Sequence, residues 1–260
     1  MNGLNSVAGF GVGVMVGMTG VGGGALMTPI LVLLFGVAPA TAVGTDLWFA
    51  AITKMAGGAM HHGHGAVDWQ VVRRLALGSL PAAAMTLAWL HVSGIGRSEQ
   101  GMILQALGWV LILTAVAMLF RQSLHAVGQR LRESAPNGFR RLQPILTVVA
   151  GVVLGFLVTL TSVGAGALGT VMLLYLYPFR MTPSRLVGTD IVHAIPLTLV
   201  AGAGHLAMGH VNLLLLGSLL LGSIPGVLLG AKLNAKMPQG LLRAAIAAVL
   251  LAVASKLVLA

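Results

Sequence analysis

The sequence has 260 residues, of which 57% are apolar and only 8% are charged, and its mean hydropathy is +0.97. Soluble domains carry about 25% charged residues, so this composition excludes an ordinary water-soluble protein. The chain has no cysteine, which excludes disulfides and thiolate metal sites. Lys and Arg number 15 against 5 acidic residues, but their positions in loops favour retention on the cytoplasmic side of a membrane over nucleic-acid binding.

Apolar segments follow one another along the chain at lengths that suit a bilayer, about 20 residues for a full crossing. The pattern predicts an all-α polytopic membrane protein. An apolar segment, a glycine-rich break and a short apolar segment open each half, and three helices follow. The predicted segments are 3–19, 24–35, 43–60, 69–90 and 100–120, then 142–160, 166–177, 185–206, 212–231 and 240–258.

The two halves repeat one sequence pattern. Residues 39–82 align with 183–226 at a constant offset of 144, and Val-Gly-Thr-Asp stands in both segments. Upstream, 19–26 align with 161–168 at an offset of 142. Chance similarity between apolar segments would not repeat Thr-Asp, His and Ser-x-Pro at one offset, so the sequence predicts a duplicated unit. We divide the chain into a first transmembrane repeat (1–120), a basic cytoplasmic linker (121–141) and a second transmembrane repeat (142–260).

The basic residues predict how the repeats are oriented. If each glycine-broken segment forms a hairpin, re-entrant or fully crossing, each repeat crosses the membrane an odd number of times and the repeats are inverted. All but two of the 15 Lys and Arg then face the cytoplasm, the exceptions being Arg97 and Lys256. A single crossing per broken segment leaves six of them outside, so the positive-inside rule favours inverted repeats with both termini outside.

The two glycine-rich breaks form the predicted substrate site. Unwound backbone exposes N–H groups, and the helix after a break directs its positive N-terminal dipole at the tip, which suits an anion. Breaks at matching positions of inverted repeats indicate a binding site near the membrane midplane. An alternative is that these glycines only allow close helix packing. The predicted substrate-binding residues are Thr19, Gly20, Gly22, Gly23 and Gly24, and Thr161, Ser162, Gly164 and Gly166.

Two acidic residues occupy equivalent positions inside predicted helices. Asp46 and Asp190 follow Thr45 and Thr189, and a carboxylate inside a membrane is costly enough to suggest a function. One interpretation is a proton relay and the other is helix capping, because Thr-Asp near a helix start satisfies free N–H groups. We assign these four residues to a polar network that could take part in coupling.

His61, His205 and Lys54 complete the candidate network. His61 and His205 are equivalent, whereas Lys54 has Thr198 as its counterpart and so breaks the symmetry. Lys54 either supplies positive charge near an anion or snorkels to the cytoplasmic interface. The histidines at positions 61, 62 and 64 invite a metal interpretation, but a solvated loop is the simpler one, and we assign no metal site and no cofactor.

The residues of the breaks resemble a known family. Thr-Gly-Val-Gly-Gly-Gly at 19–24, its echo at 161–166 and Gly-Ser-x-Pro at 78–81 and 222–225 are similar to the TauE/SafE family of sulfite and organosulfonate exporters. The resemblance covers the full chain and implies a permease of the bacterial inner membrane that moves small anions outward. The acidic residues at 46 and 190 depart from the uncharged residues expected at these positions in many members.

The sequence thus predicts a secondary transporter for small anions, with no catalytic residues and no nucleic-acid partner. A divalent metal cation permease that uses the His-rich loop and the Asp pair is the alternative, and a membrane assembly factor without transport is a third. Enzyme activity is disfavoured because Ser162 has Gly20 as its counterpart and lacks the surroundings of a nucleophile. Homo-oligomerisation is left open.

Overall fold

The computed structural model describes residues 3–19, 24–60, 67–94, 100–134, 136–234 and 239–259. Within these ranges the chain forms eleven α-helices, and they contain no β-strand. The helices are α1 Gly3–Thr19, α2 Gly24–Leu33, α3 Pro39–Met60, α4 Trp69–Ser93, α5 Gln100–Leu119, α6 Arg121–Ser134, α7 Pro136–Thr161, α8 Ala167–Leu176, α9 Pro183–Ala207, α10 Leu213–Asn234 and α11 Gln239–Leu259. The all-α prediction is confirmed.

Helix starts follow recognisable capping chemistry, and those of α3 and α9 lie earlier than predicted. α3 begins at Pro39 and α9 at Pro183, because proline is tolerated in a first turn, where its missing N–H would have no helical partner. The Thr182 side chain accepts a hydrogen bond from the Arg185 N–H and caps α9. Asp68 caps α4 in the same way.

Helix length and hydropathy separate full spans from half spans. Among the described residues, five helices are long and apolar enough to cross a membrane, namely α4, α5, α7, α9 and α10. α2 and α8 have ten residues each, so they extend about 15 Å, half of a hydrocarbon core. The chain is therefore a polytopic membrane protein in which each half contains one short helix.

The basic linker is mostly helical, a feature that the sequence prediction lacks. Its first part forms α6, and its last residues belong to the first turn and a half of α7. α6 packs against α8, where a Cβ on Gly128 would overlap the carbonyl of Tyr175. The His125 ring bonds the Pro178 carbonyl at 3.0 Å. The linker thus holds the short helix of the second half.

Helices of the two halves pack in an exchanged pattern. α1 packs against α10 and α7 packs against α4, so the opening helix of each half lies on the fourth helix of the other half. α3 packs on its own counterpart α9, and α5 on α11. A two-fold axis that relates the halves produces both kinds of contact, so the halves are related by an approximate two-fold symmetry. The inversion of that relation across the membrane stays a prediction.

The exchanged packing is reproduced at individual glycines. In each interface two glycines of the opening helix contact the partner backbone so closely that a Cβ would overlap a carbonyl group. The equivalent contacts are Gly9 on Leu219 and Gly151 on Leu75, then Gly13 on Ser223 and Gly155 on Ser79. These helical glycines therefore allow the two helices to pack closely, which is the usual role of small residues between membrane helices. The duplicated sequence has duplicated packing.

The second half opens with a hairpin of α7 and α8. Near its open end, the Gln143 side chain donates a hydrogen bond to the Leu176 carbonyl. One turn further along α7, the hydroxyls of Thr147 and Tyr177 lie 2.8 Å apart. The end of α8 therefore returns to the early turns of α7, and the glycine break lies at the opposite tip. The tip of the first hairpin, residues 20–23, is outside the described residues.

Candidate functional site

The second glycine break is enclosed by protein. Every residue from 161 to 170 is buried, and irregular backbone at membrane depth is tolerated only in such a setting. Ser162 has a φ of 59° and Gly164 a φ of 117°, a left-handed region that side chains rarely adopt. Gly166 is the N-cap of α8 and provides no side-chain cap bond. The positive end of the α8 dipole therefore points into the break without a capping side chain.

Lys54 reaches this break from the other half of the chain. Its Nζ donates a hydrogen bond to the Ala165 carbonyl at 3.0 Å and lies 3.5 Å from Oδ2 of Asp190. The lysine is only 7% exposed, so the interpretation that Lys54 snorkels to the interface is wrong. A buried ammonium group lies at the tip of the second hairpin.

Asp190 lies against the first turn of α8. A Cβ on Gly169 would come within 2.7 Å of Asp190 Oδ1, so the glycine makes room for the carboxylate. Asp190 is the eighth residue of α9, whose N-cap is Thr182. The carboxylate therefore does not cap its own helix, as the sequence alternative supposed, and instead faces the short helix and Lys54.

Asp46 has the equivalent position beside α2, with different partners. The Thr28 hydroxyl donates a hydrogen bond to Asp46 Oδ2 at 2.6 Å. The Ser162 side chain lies close enough to this carboxylate to interact with it. Neither Ser162 Oγ nor Asp46 Oδ1, however, has a hydrogen-bond partner in good geometry. Asp46 is fully buried and Ser162 is nearly so. The second break is thus contacted by α3 twice, through Asp46 and through Lys54.

The threonines of the repeated Val-Gly-Thr-Asp segments join the two halves. Thr189 Oγ1 accepts a hydrogen bond from the Asp68 backbone N–H at 2.9 Å. Thr45 Oγ1 accepts the equivalent bond from the Asn212 N–H at 3.1 Å. Both hydroxyls are therefore used to fix the start of a helix from the opposite half, and they position the aspartates that follow them.

The two hydroxyls at the end of α7 differ in availability. Thr161 Oγ1 donates to the Leu157 carbonyl at 2.6 Å and accepts a bond from the Val163 N–H at 3.2 Å. Its hydroxyl proton is therefore used by the backbone of its own helix and is not free to be donated to a ligand. Ser162 Oγ is buried without such a bond. Of this pair, Ser162 is the one available to a ligand.

The predicted histidine pair is only half described. His205 is buried in the last turn of α9, and its Nε2 bonds the Thr159 carbonyl at 3.0 Å. It therefore supports the end of α7 next to the break. His61 lies outside the described residues, as do His62 and His64.

Part of the first break is also outside the described residues. Gly20, Gly22 and Gly23 are not described. Thr19 ends α1 and Gly24 begins α2, so these two residues flank the break as predicted. The geometry available for a ligand site is consequently that of the second break.

Sequence reasoning missed three residues near the site. Two of them contact the aspartates: Thr28 in α2 contacts Asp46, and Gly169 in α8 contacts Asp190. At the offset of 142 residues, these two positions are equivalent to within one residue. The third is Ser79, whose hydroxyl lies 2.9 Å from Nε2 of His193, one turn after Asp190. The repeat would have pointed to Thr28, whereas no sequence signal pairs Ser79 with His193.

Comparison with known proteins decides the family. The family model described as Sulfite exporter TauE/SafE matches residues 6–257. The chain belongs to this family. It is 42% identical over 223 residues to the Probable membrane transporter protein YjnA of Bacillus subtilis, covering 84% of each chain. It is 27% identical over 241 residues to the Probable membrane transporter protein YdhB of the same organism, covering 91% of this chain and 92% of that protein. No solved structure matches the chain.

Membership in the TauE/SafE family establishes the general activity. The protein is a membrane transporter and not an enzyme, with a small-molecule substrate and the lipid bilayer as its surroundings. The five long apolar helices agree with a multi-pass protein of the bacterial inner membrane. The buried polar residues at the second break then become candidates for contact with the transported molecule.

Proposed function

We propose that this protein is a secondary transporter that carries small anions outward, with sulfur-containing oxyanions and organosulfonates as the first candidates. Charge at the second break carries the proposal. A lysine ammonium group, which is costly to bury in a membrane, lies 3.0 Å from a carbonyl of the break. The adjoining helix N-terminus has no side-chain cap, and such a terminus attracts anions.

Asp190 has to be reconciled with an anionic substrate. Its distance of 3.5 Å from Lys54 is longer than the 2.7–2.9 Å of a tight charge-assisted hydrogen bond. The ammonium group can therefore turn from Asp190 toward a substrate oxygen, whose negative charge then replaces part of the pairing with Asp190. Alternating access would then move one half against the other around the breaks, driven by a proton or substrate gradient.

Efflux from proteoliposomes tests the proposal. Purified protein is reconstituted in vesicles loaded with sulfite, sulfate, thiosulfate or an organosulfonate, with and without a pH gradient. We expect efflux of at least one anion, and a reduction of more than about tenfold in Lys54→Met, which lacks the charge near the transported anion. Lys232→Met, an exposed lysine at the end of α10, is the control and should transport normally.

A second variant separates loss of function from loss of folding. Lys54→Met combined with Asp190→Asn removes both charges and leaves no unpaired carboxylate, so it should insert normally and still fail to transport anions. Absence of flux for every anion with the unmodified protein, or normal flux in both Lys54 variants, would overturn the proposal. Divalent metal ions in the same vesicles test the alternative permease, for which His62→Ala and His64→Ala should abolish flux.

A further inference from the structure

The described residues include three buried carboxylates, and one of them lacks a cation. Asp68 is paired with Arg180, whose Nη2 lies 2.9 Å from Asp68 Oδ1. Asp190 is paired with Lys54. Asp46 is fully buried, but the described groups that interact with it are hydroxyl and backbone groups without charge. An isolated buried carboxylate is strongly unfavourable, so Asp46 requires a positive charge or a proton.

The repeat identifies where that positive charge belongs. Asp46 and Asp190 are equivalent, and the residue equivalent to Lys54 is Thr198. Thr198 is buried in α9 and donates its hydroxyl to the Ala194 carbonyl at 2.9 Å. α3 and α9 pack on each other. Asp190 is therefore paired with a lysine ammonium group that is a fixed part of the chain, whereas the residue in the equivalent position for Asp46 is neutral.

The surroundings of Asp46 offer oxygen atoms to a cation. Asp46 Oδ1 and Ser162 Oγ are each buried without a hydrogen-bond partner, and both residues are more than nine-tenths buried. The Ser162 side chain lies close enough to the Asp46 carboxylate to interact with it. Ser162 directly follows the C-terminal end of α7, where the helix dipole favours positive charge. Carboxylate, hydroxyl and unwound carbonyl oxygens are ligands for hard cations, and transporters bind coupling ions at broken helices.

We propose that Asp46 and Ser162 bind one exchangeable monovalent cation, a sodium ion or a proton. The bound cation does at Asp46 what the Lys54 ammonium does at Asp190, so that the negative charge of each aspartate is balanced. A sodium ion would contact Asp46 Oδ1 and Ser162 Oγ. A proton would instead be bound to Asp46 Oδ1, and the protonated carboxyl group would donate a hydrogen bond to Ser162 Oγ. The site does not depend on the transported anion; its use as the coupling site rests on the proposed function.

Other titratable groups on the helices that pack against α3 have to be considered in any test. Those on α9 and α10 are Arg185, Asp190, His193, His205 and Lys232, while α2 and α5 carry none. On α3 itself, Lys54 is already paired with Asp190. The test therefore compares variants at Asp46 with the unmodified protein under identical conditions, in which all these groups contribute equally.

Thermal unfolding of the full-length protein in detergent, without substrate, tests the site. The melting temperature is measured in sodium chloride against choline chloride at fixed pH, and between pH 5 and pH 9 without sodium. A cation bound only by the folded protein should raise the melting temperature by about 5 °C when its concentration exceeds the dissociation constant about a hundredfold. Sodium dependence identifies a sodium ion, and pH dependence without sodium identifies a proton.

Three variants complete the design. Asp46→Asn should lose the cation dependence because the carboxylate is gone. Thr198→Lys should also lose it, because it provides Asp46 with the fixed ammonium that Asp190 has, while Thr198→Val is the neutral control and should retain it. The proposal fails if the unmodified protein responds to neither cation, or if Asp46→Asn responds as strongly as the unmodified protein. Neither result depends on anion transport, because the melting temperature is measured without substrate and the vesicle assay measures transport separately.

Discussion

Removal of Lys54 gives the most direct measure of the pair that joins the two halves at the second break. Lys54 Nζ and Asp190 Oδ2 are 3.5 Å apart, with side-chain exposures of 7% and 3%. At an effective dielectric constant of 20, two unit charges at this distance attract each other by about 5 kcal/mol. Loss of one partner from a buried pair costs about 3–5 kcal/mol, because the other charge stays behind. We expect Lys54→Met to lower the free energy of unfolding by that amount.

A double-mutant cycle separates the pair from other effects of the substitution. Lys54 also donates to the Ala165 carbonyl, and the cycle removes this contribution because it is lost in both lysine variants. Lys54→Met combined with Asp190→Asn should recover about 2 kcal/mol or more relative to the sum of the single variants. Replacement of the pair by neutral side chains leaves no buried charge.

Reversible unfolding in mixed dodecyl maltoside and dodecyl sulfate micelles, followed by circular dichroism, measures each corner of the cycle. Lys232→Met, at an exposed lysine, serves as the control and should change the free energy of unfolding by less than about 0.5 kcal/mol. Additive losses in the double variant would refute the reasoning, because they would show that Lys54 and Asp190 do not stabilise each other in the folded protein.

Two further predictions concern the close packing of α7 on α4 and the pair formed by Asp68 and Arg180. Gly151→Val should lower the melting temperature in detergent because its side chain would overlap a backbone carbonyl of α4; an unchanged value would contradict the close approach of α7 and α4. Arg180→Ala should reduce stability by about 1–3 kcal/mol in chemical unfolding, since it leaves the buried Asp68 carboxylate unpaired and Arg180 itself is partly exposed. Arg180→Lys should restore part of this loss, and equal effects of both substitutions would argue against charge pairing.

Helix positions were largely predictable because apolar length, glycine breaks and the repeat all mark the same boundaries. α6 was missed because its sequence is polar and charged, and its helical structure is held by packing on α8 through Gly128. Hydropathy alone does not report that contact.

The site was predictable at the level of segments but not of atoms. The repeat pointed to the breaks and to the two aspartates, but the burial of Lys54 depends on the packing of α3 against the opposite half. A lone lysine in an apolar helix gives no indication of whether its ammonium reaches solvent or a carbonyl such as that of Ala165. The use of the Thr161 hydroxyl by its own backbone was equally beyond sequence patterns.

The exchanged packing of the opening helices has a consequence for biosynthesis. α1 leaves the ribosome long before its partner α10, which begins only at Leu213. Gly9 and Gly13 must therefore contact lipid or temporary partners until most of the chain has been synthesised. A single repeat would satisfy the same surfaces only by pairing with a second copy, so the gene duplication is most simply explained by an ancestral homodimer that became one chain.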